Sequence, residues 1–338
     1  MLAIVCPGQG SQTPGFLTPW LELPGLREQA ATWSEATGAD LVLHGTTSDA
    51  DTIRDTAIAQ PLIVGAGLLA LDALYAGGRA DAPGSLSPTA GVLAGHSVGE
   101  ITAAVAAGVL SPEEGLTVVG VRGRAMAAAS ALTPTGMSAV LGGDPQEVLE
   151  VLAAHGLTPA NTNGAGQVVA AGTMDQLAAL AADPPAKARV IALSVAGAFH
   201  TVHMGPAVDA MREQAGAITP CDPSTTLLSN ADGEPVGTGA EVLARLVSQV
   251  RNPVRWDLCM ETMTRLGVTG LIELAPAGTL IGLAKRAMKG VELLALKTPD
   301  DLDAARDLLA RHSAGPSDQT RAATSAPATP LPHHPRTP

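Results

Sequence analysis

Residues 91–100 read "GVLAGHSVGE", a small apolar run that meets an abrupt Gly-His-Ser-x-Gly. The run to Gly95 has the character of a buried strand, and "VGEITAAVAAGVL" (98–110) that of a helix. A strand that turns sharply into a helix presents the serine Oγ at its tip. It also leaves the N–H of the next residue, Val98, free at the helix N-terminus. That donor and the helix dipole can stabilise an oxyanion, and Gly95 and Gly99 keep side chains out of the turn. With 37 Gly and 16 Ser in 338 residues, Gly-x-Ser-x-Gly would arise by chance roughly 0.2 times. The strand–turn–helix context, more than the pattern itself, marks Ser97 as a candidate nucleophile.

On either side the chain alternates strand-like and helix-like segments: "LAIVC" (2–6), the long helical stretch "AQPLIVGAGLLALDALYAGG" (59–78), read as amphipathic, then "AGVLAGH". This alternation predicts an α/β fold with a mainly parallel sheet. From 126 to 196 the texture changes to strand "MSAVLGG", helix "DPQEVLEVLAAHG" from Asp144, strands "LTPANTN" and "GQVVAAG", helix "TMDQLAALAAD" and strand "KARVIALSV". That βαββαβ order is the ferredoxin-like, split-βαβ pattern. It reads as a subdomain (126–196) inserted into a core formed by 1–125 and 197–312. The α/β pattern resumes with "TTLLSN", "AEVLARLVSQV" and "TGLIELA". Residues 313–338 carry six prolines and almost no large apolar side chains, and read as a disordered tail. His333 and His334 in it are weak candidates for a metal.

Composition bounds the rest. Aromatics are 2% of the chain while 46% is hydrophobic, so the core is Ala, Val and Leu, and either Phe is unusual. The apolar runs are short and interrupted, which predicts no membrane span, and the start lacks a basic n-region, which favours the cytoplasm. Cys6, Cys221 and Cys259 are odd in number and scattered, suggesting neither a disulfide framework nor a metal site. A formal charge of −12 argues against a nucleic-acid partner.

A serine nucleophile needs a base. The histidines are His44, His96, His155, His200, His203, His312, His333 and His334. His96 adjoins the serine, but successive side chains around a tight turn diverge, so it reads as a packing or hydrogen-bonding residue. His155 lies at a surface-like helix end. His200 follows the last strand of the insertion, where the core resumes, and is the leading base by elimination; His203 is second.

Several ordered motifs then accumulate: "PGQGSQ" (7–12), "AQPL" (59–62), "GHSVGE" (95–100), "RGRAM" (122–126), "NTNGAGQ" (161–167), "GAFH" (197–200) and "QVRNPVRW" (249–256). Together, over about residues 1–310, the set resembles the malonyl-CoA:acyl carrier protein transacylases, related to the acyltransferase domains of polyketide and fatty-acid synthases. The resemblance implies an α/β-hydrolase-like core with a ferredoxin-like insertion. It implies Ser97 as nucleophile and His200 as base, with the imidazole oriented by a backbone carbonyl near Gln249 in place of a carboxylate. It also implies an oxyanion hole from the backbone N–H groups of Gln9 and Val98. Arg122 matches the arginine that binds the malonyl carboxylate bidentately, which selects acids over plain acyl groups. Phe199 stands where malonyl-selective members carry Phe, in the space an α-methyl group would need. Arg124 should face elsewhere on its helix. Three departures touch loop geometry: Cys6 for a common Phe, Val98 for a common Leu, and Ala275-Pro276-Ala277 for a frequent Gly-Pro-Gly.

The activity so implied is malonyl transfer from malonyl-CoA to the phosphopantetheine thiol of an acyl carrier protein, through a malonyl-serine, for fatty-acid or polyketide synthesis. No bound cofactor or metal is expected, and a monomer is the default. Acyl carrier proteins are usually acidic, as is this chain, but a local basic patch could still steer docking. Lys285, Arg286 and Lys289 in "GLAKRAMKG" are candidates, with Arg251 and Arg255 in "RNPVR". A serine hydrolase would share Ser97 and His200 but have no use for Arg122. An acyltransferase for another extender would keep Arg122, and a non-catalytic carrier-binding module would need no nucleophile.

Overall fold

A computed structural model describes residues 1–76 and 90–313 of the chain. The amino-terminal segment forms β1 (Leu2–Cys6), α1 (Leu26–Thr37), α2 (Leu41–Thr46), α3 (Thr56–Ala76), β2 (Val92–Gly95), α4 (Gly99–Ala106) and α5 (Pro112–Ser130). The second segment forms β3 (Thr135–Gly142), α6 (Pro145–Ala154), β4 (Thr158–Gly164), β5 (Gln167–Thr173), α7 (Met174–Ala182) and β6 (Ala188–Ala192). The third contributes α8 (Gly205–Gly216), β7 (Thr226–Leu227), α9 (Gly239–Gln249), β8 (Val254–Arg255) and α10 (Trp256–Arg265). It ends with β9 (Gly270–Glu273), α11 (Thr279–Ala287), β10 (Glu292–Ala295) and α12 (Leu302–Ser313). Segment 314–338, with His333 and His334, lies outside the described residues.

The main sheet is parallel throughout, in the order β10-β9-β1-β2-β7. Its centre is β1, every residue of which is buried. Helices on both faces leave such a strand no polar side, which is why "LAIVC" is a continuous apolar run. The second sheet has the order β6-β3-β5-β4 with antiparallel pairing, the strand order of the ferredoxin-like unit. Its helices bury Val148, Leu152, Leu177 and Leu180 against Val140 and Ala170. Both helices begin on a capping side chain: the Asp144 carboxylate accepts from the Gln146 and Glu147 N–H groups, and Thr173 forms a capping box with Gln176. A fifth strand comes from outside the insertion. β8 lies parallel to β4, with Asn161 opposite Val254 and Thr162 opposite Arg255.

Helix α3 departs from the amphipathic reading. It is buried without a break from Ala59 to Leu71. Other helices cover it on more than one side, so it needs no polar face. Gly65 and Gly67 permit the approach: a Cβ at Gly67 would lie 2.9 Å from Thr102 Cγ2, and one at Gly65 3.0 Å from a Leu41 methyl. Among the described residues it is the one helix long and apolar enough to cross a membrane, and it is packed inside the fold.

The turn from β2 into α4 is the tightest packing near the candidate serine. A Cβ on Gly95 would lie 2.0 Å from the Gly99 carbonyl carbon, and one on Gly99 would lie 2.2 Å from the Cys6 carbonyl oxygen. Both obstacles are backbone, so neither can rotate away. The Gly99→Ala variant is therefore expected to lose about 3 kcal/mol or more of stability, read as a fall in Tm or a failure to recover soluble protein. A Tm within about 2 °C of the parent would contradict this packing.

Candidate active site

Ser97 occupies the first position after His96 in the turn and has φ of +54°, the left-handed region that a non-glycine residue enters only when held there. His200 has φ of +60°. Its turn is secured by Thr201, whose Oγ1 donates to the Ala198 carbonyl at 2.7 Å, and by the His200 N–H, which donates to the Val250 carbonyl at 3.2 Å. A side chain at Gly197 would collide with Ser130 Oγ, so this loop lies directly on the end of α5.

These two strained residues face each other. His200 Nδ1 is 2.8 Å from the Gln249 carbonyl oxygen, which can only accept. Nδ1 therefore carries the hydrogen, and Nε2 is left to accept from the Ser97 hydroxyl at 2.6 Å. Arg122, from the middle of α5, points into the same space. One guanidinium nitrogen donates to Gln60 Oε1 at 2.7 Å. The other donates to Gln249 Oε1 at 2.8 Å and lies 3.4 Å from Ser97 Oγ. Arg122 is 1% exposed, and no carboxylate among the described residues pairs with it within 4.0 Å. Burial lowers it to about 10, with Glu100 pulling the other way, so it stays a cation at neutral pH.

The turn is secured chiefly by a residue outside the sequence motifs. Asn230, fully buried just beyond β7, accepts the Ser97 N–H on Oδ1 at 2.7 Å and donates from Nδ2 to the Gly95 carbonyl at 2.7 Å. The Gln249 side chain donates to the Ser97 carbonyl at 2.9 Å. Glu100 accepts from the Asn230 backbone and from the Gln249 amide. Burial raises Glu100 to about 7 against the pull of those donors and of Arg122. The one available sign was position: a polar residue just past the carboxyl end of a strand, where open α/β sheets place their sites.

The remaining expectations fall as follows. The backbone N–H groups of Gln9 and Val98 have no hydrogen-bond acceptor among the described residues. Phe199 is buried in the main core beside His200. His203 sits in the short 3-10 turn Val202–Met204, and the ring that Ser97 Oγ meets is that of His200. His96 turns away from the serine, as a packing residue: Nε2 meets Asn163 Oδ1 at 2.9 Å, and the ring stands edge-on to Trp256. Arg124 points the opposite way from Arg122 and donates to the Thr37 carbonyl at the end of α1. Lys285, Arg286 and Lys289 are exposed around the last turn of α11, without a carboxylate partner among the described residues. No group of three or more His, Cys, Asp or Glu side chains among the described residues could hold a metal.

The acyl transferase domain model matches residues 3–310. The chain belongs to that family. It is 52% identical to the malonyl CoA-acyl carrier protein transacylase of Mycobacterium tuberculosis over 303 residues, covering 90% of this chain and 98% of that one. It is 33% identical to the enzyme of the same name from Escherichia coli, over 90% of this chain and 99% of that one. The crystal structure of the Mycobacterium tuberculosis protein superposes with a TM-score of 0.85 at 51% identity, over 90% of this chain and 99% of that one. A malonyl-transacylase solved with a type II polyketide-synthase acyl-carrier protein gives a TM-score of 0.81 at 28% identity, over 90% of this chain and 99% of that one.

The electrostatics of this acyl transferase yield a titration. Burial first, then the Arg122 cation, depress His200 from 6.5 to about 3. The imidazole is therefore neutral across the whole neutral range. The unfolded chain takes up this proton near pH 6.5 and the folded one does not, so the folded state loses stability as pH falls from about 6.5 toward 3. Glu100 has the opposite sign: its raised pKa makes a contribution that is lost as pH rises from 4.5 to about 7. Histidine NMR should find the His200 ring uncharged at pH 5, and Arg122→Ala should raise its pKa. A parent titration near 6.5 would overturn the electrostatic reading.

Proposed function

We propose that this acyl transferase moves the malonyl group from malonyl-CoA to the phosphopantetheine thiol of an acyl carrier protein, by a ping-pong route through malonyl-Ser97. The observation that carries the reading is Arg122: a buried guanidinium 3.4 Å from Ser97 Oγ, held by two neutral amide oxygens. Amides orient the fork without cancelling its charge, which leaves the cation for an anionic acyl group. A plain esterase gains nothing from it. The names of the relatives, and the carrier-protein complex among the structural neighbours, support the same substrate and partner.

In this mechanism the malonyl carboxylate rests on Arg122. His200 Nε2 takes the Ser97 proton as Oγ attacks the thioester carbonyl, and the backbone N–H groups of Gln9 and Val98 hold the oxyanion. Collapse breaks the C–S bond, the His200 proton passes to the CoA thiolate, and the ester malonyl-Ser97 remains. The carrier thiol then gives its proton to His200 and attacks the ester, and Ser97 leaves with that proton. Because the Gln249 carbonyl is neutral, the imidazolium receives less stabilisation than a carboxylate would give. The buried Arg122 disfavours that imidazolium further, until the arriving malonyl carboxylate offsets its charge.

Phe199 excludes an α-methyl group, worth about 1–3 kcal/mol of selectivity. Lys285, Arg286 and Lys289 form the docking patch for the acidic carrier. The product supplies extender units for fatty-acid or polyketide synthesis, and the protein acts as a cytoplasmic monomer.

Intact-mass measurement after mixing with malonyl-CoA should give one malonyl adduct, absent in Ser97→Ala and discharged by carrier protein bearing phosphopantetheine. Arg122→Ala should slow malonyl loading at least about 100-fold while improving acetyl loading. Free malonate released with CoA and no adduct would support hydrolysis instead. Charge reversal at all three cations (Lys285→Glu, Arg286→Glu, Lys289→Glu) should raise the carrier-protein KM about tenfold or more and spare self-malonylation. Unchanged transfer kinetics would remove the patch from the docking surface.

A further inference from the structure

We infer that Asn230 is a positioning residue for Ser97: its side chain fixes the serine backbone so that Oγ faces His200 and the serine's own N–H is withheld from the acyl oxygen. The inference rests on the reading of Ser97 as the acylated residue.

Ser97 sits at φ +54°, a conformation that an L-residue does not hold unaided. Its N–H points to Asn230 Oδ1 at 2.7 Å. Asn230 cannot rotate away from this duty, because its Nδ2 donates to the Gly95 carbonyl at 2.7 Å. One amide thus bridges the two sides of the turn, from the residue before His96 to the residue after it. The Asn230 backbone is itself tied, its N–H donating to the Glu100 carboxylate in the first turn of α4. Asn230 is 0% exposed, so no water competes for these bonds.

Two consequences follow for the reaction. Release of the Ser97 φ/ψ would swing Oγ away from Nε2, and a displacement of about 1 Å at a nucleophile can cost about 100-fold in rate. Second, a third N–H beside those of Gln9 and Val98 would compete for the oxyanion if Asn230 did not occupy it. The hole is therefore limited to two donors by a side chain 133 residues along the chain.

A purely structural role would lower stability and leave the chemistry of the folded fraction intact. The test therefore measures the rate constant of malonyl loading per folded molecule, by rapid quench and intact mass with active sites counted from the end point. Asn230→Ala should load about 10–100-fold more slowly, with the KM for malonyl-CoA within about threefold of the parent. Asn230→Asp keeps an acceptor for the Ser97 N–H but loses the donor to Gly95, so it should fall between the two. It carries the test alone if the alanine variant does not fold. Cys259→Ala is the control. Its sulfur lies 3.8 Å from Asn230 Nδ2 and touches neither Ser97 nor Gly95, so it should lose stability and keep the parent rate. A folded Asn230 variant that loads within twofold of the parent overturns the inference. An absent malonyl adduct in the parent overturns the acyl-serine reading instead.

Discussion

The polar site is organised around Gln249. Its backbone oxygen sets the His200 tautomer, its side-chain oxygen holds Arg122, and its side-chain nitrogen reaches the Ser97 carbonyl and Glu100. The proposed base, acyl-group ligand and nucleophile are therefore all oriented by one residue at the last turn of α9. Because it is an amide, it can accept from a cation on one side and donate to a carboxylate on the other. No acidic or basic residue could satisfy both neighbours. Glutamate would pair with Arg122 and be repelled by Glu100; lysine would do the reverse.

That arrangement keeps two ionisable groups inside the protein without a direct ion pair. Arg122 and Glu100 are both buried, and Gln249 stands between them. Taking either charge from water costs several kcal/mol unless its hydrogen bonds are made. Here the amides of Gln60, Gln249 and the Asn230 backbone make them. Cys6 and Cys259 are also buried, and burial pushes their thiols well above the ordinary range, so they stay inert.

Local chemistry decided what was legible in the sequence. The β2–Ser97–α4 turn could be read because Gly95, Ser97 and Gly99 must lie within five residues of one another, and a backbone turn tolerates few substitutes. The ferredoxin-like segment was legible because Asp144 and Thr173 stand at the starts of its helices and its short apolar strands follow the βαββαβ order. Asn230 was not legible: its partners are 130, 133 and 135 residues away, and an Asn after a strand also fits an ordinary turn. α3 was misread as one-sided because its few polar residues cluster at the ends, while the middle has no face left in water. β8 went unseen since two residues make no period, and its pairing depends on where β4 ends.

The same two-residue strand limits how modular this architecture is. By chain order the ferredoxin-like unit looks like a cassette, entering after α5 and leaving before the His200 loop. By hydrogen bonding it is not one, because Val254 and Arg255 complete its sheet from the far side of the core sequence. Trp256, the next residue, stands edge-on to His96 in the β2–α4 turn. A recombinant that exchanged the continuous segment alone would unite a foreign β4 with a native β8 and disturb the ring beside Ser97. The heritable unit of this subdomain is discontinuous, and the chain reaches His96 from both sides of the break, through Asn163 on β4 and through Trp256 directly after β8.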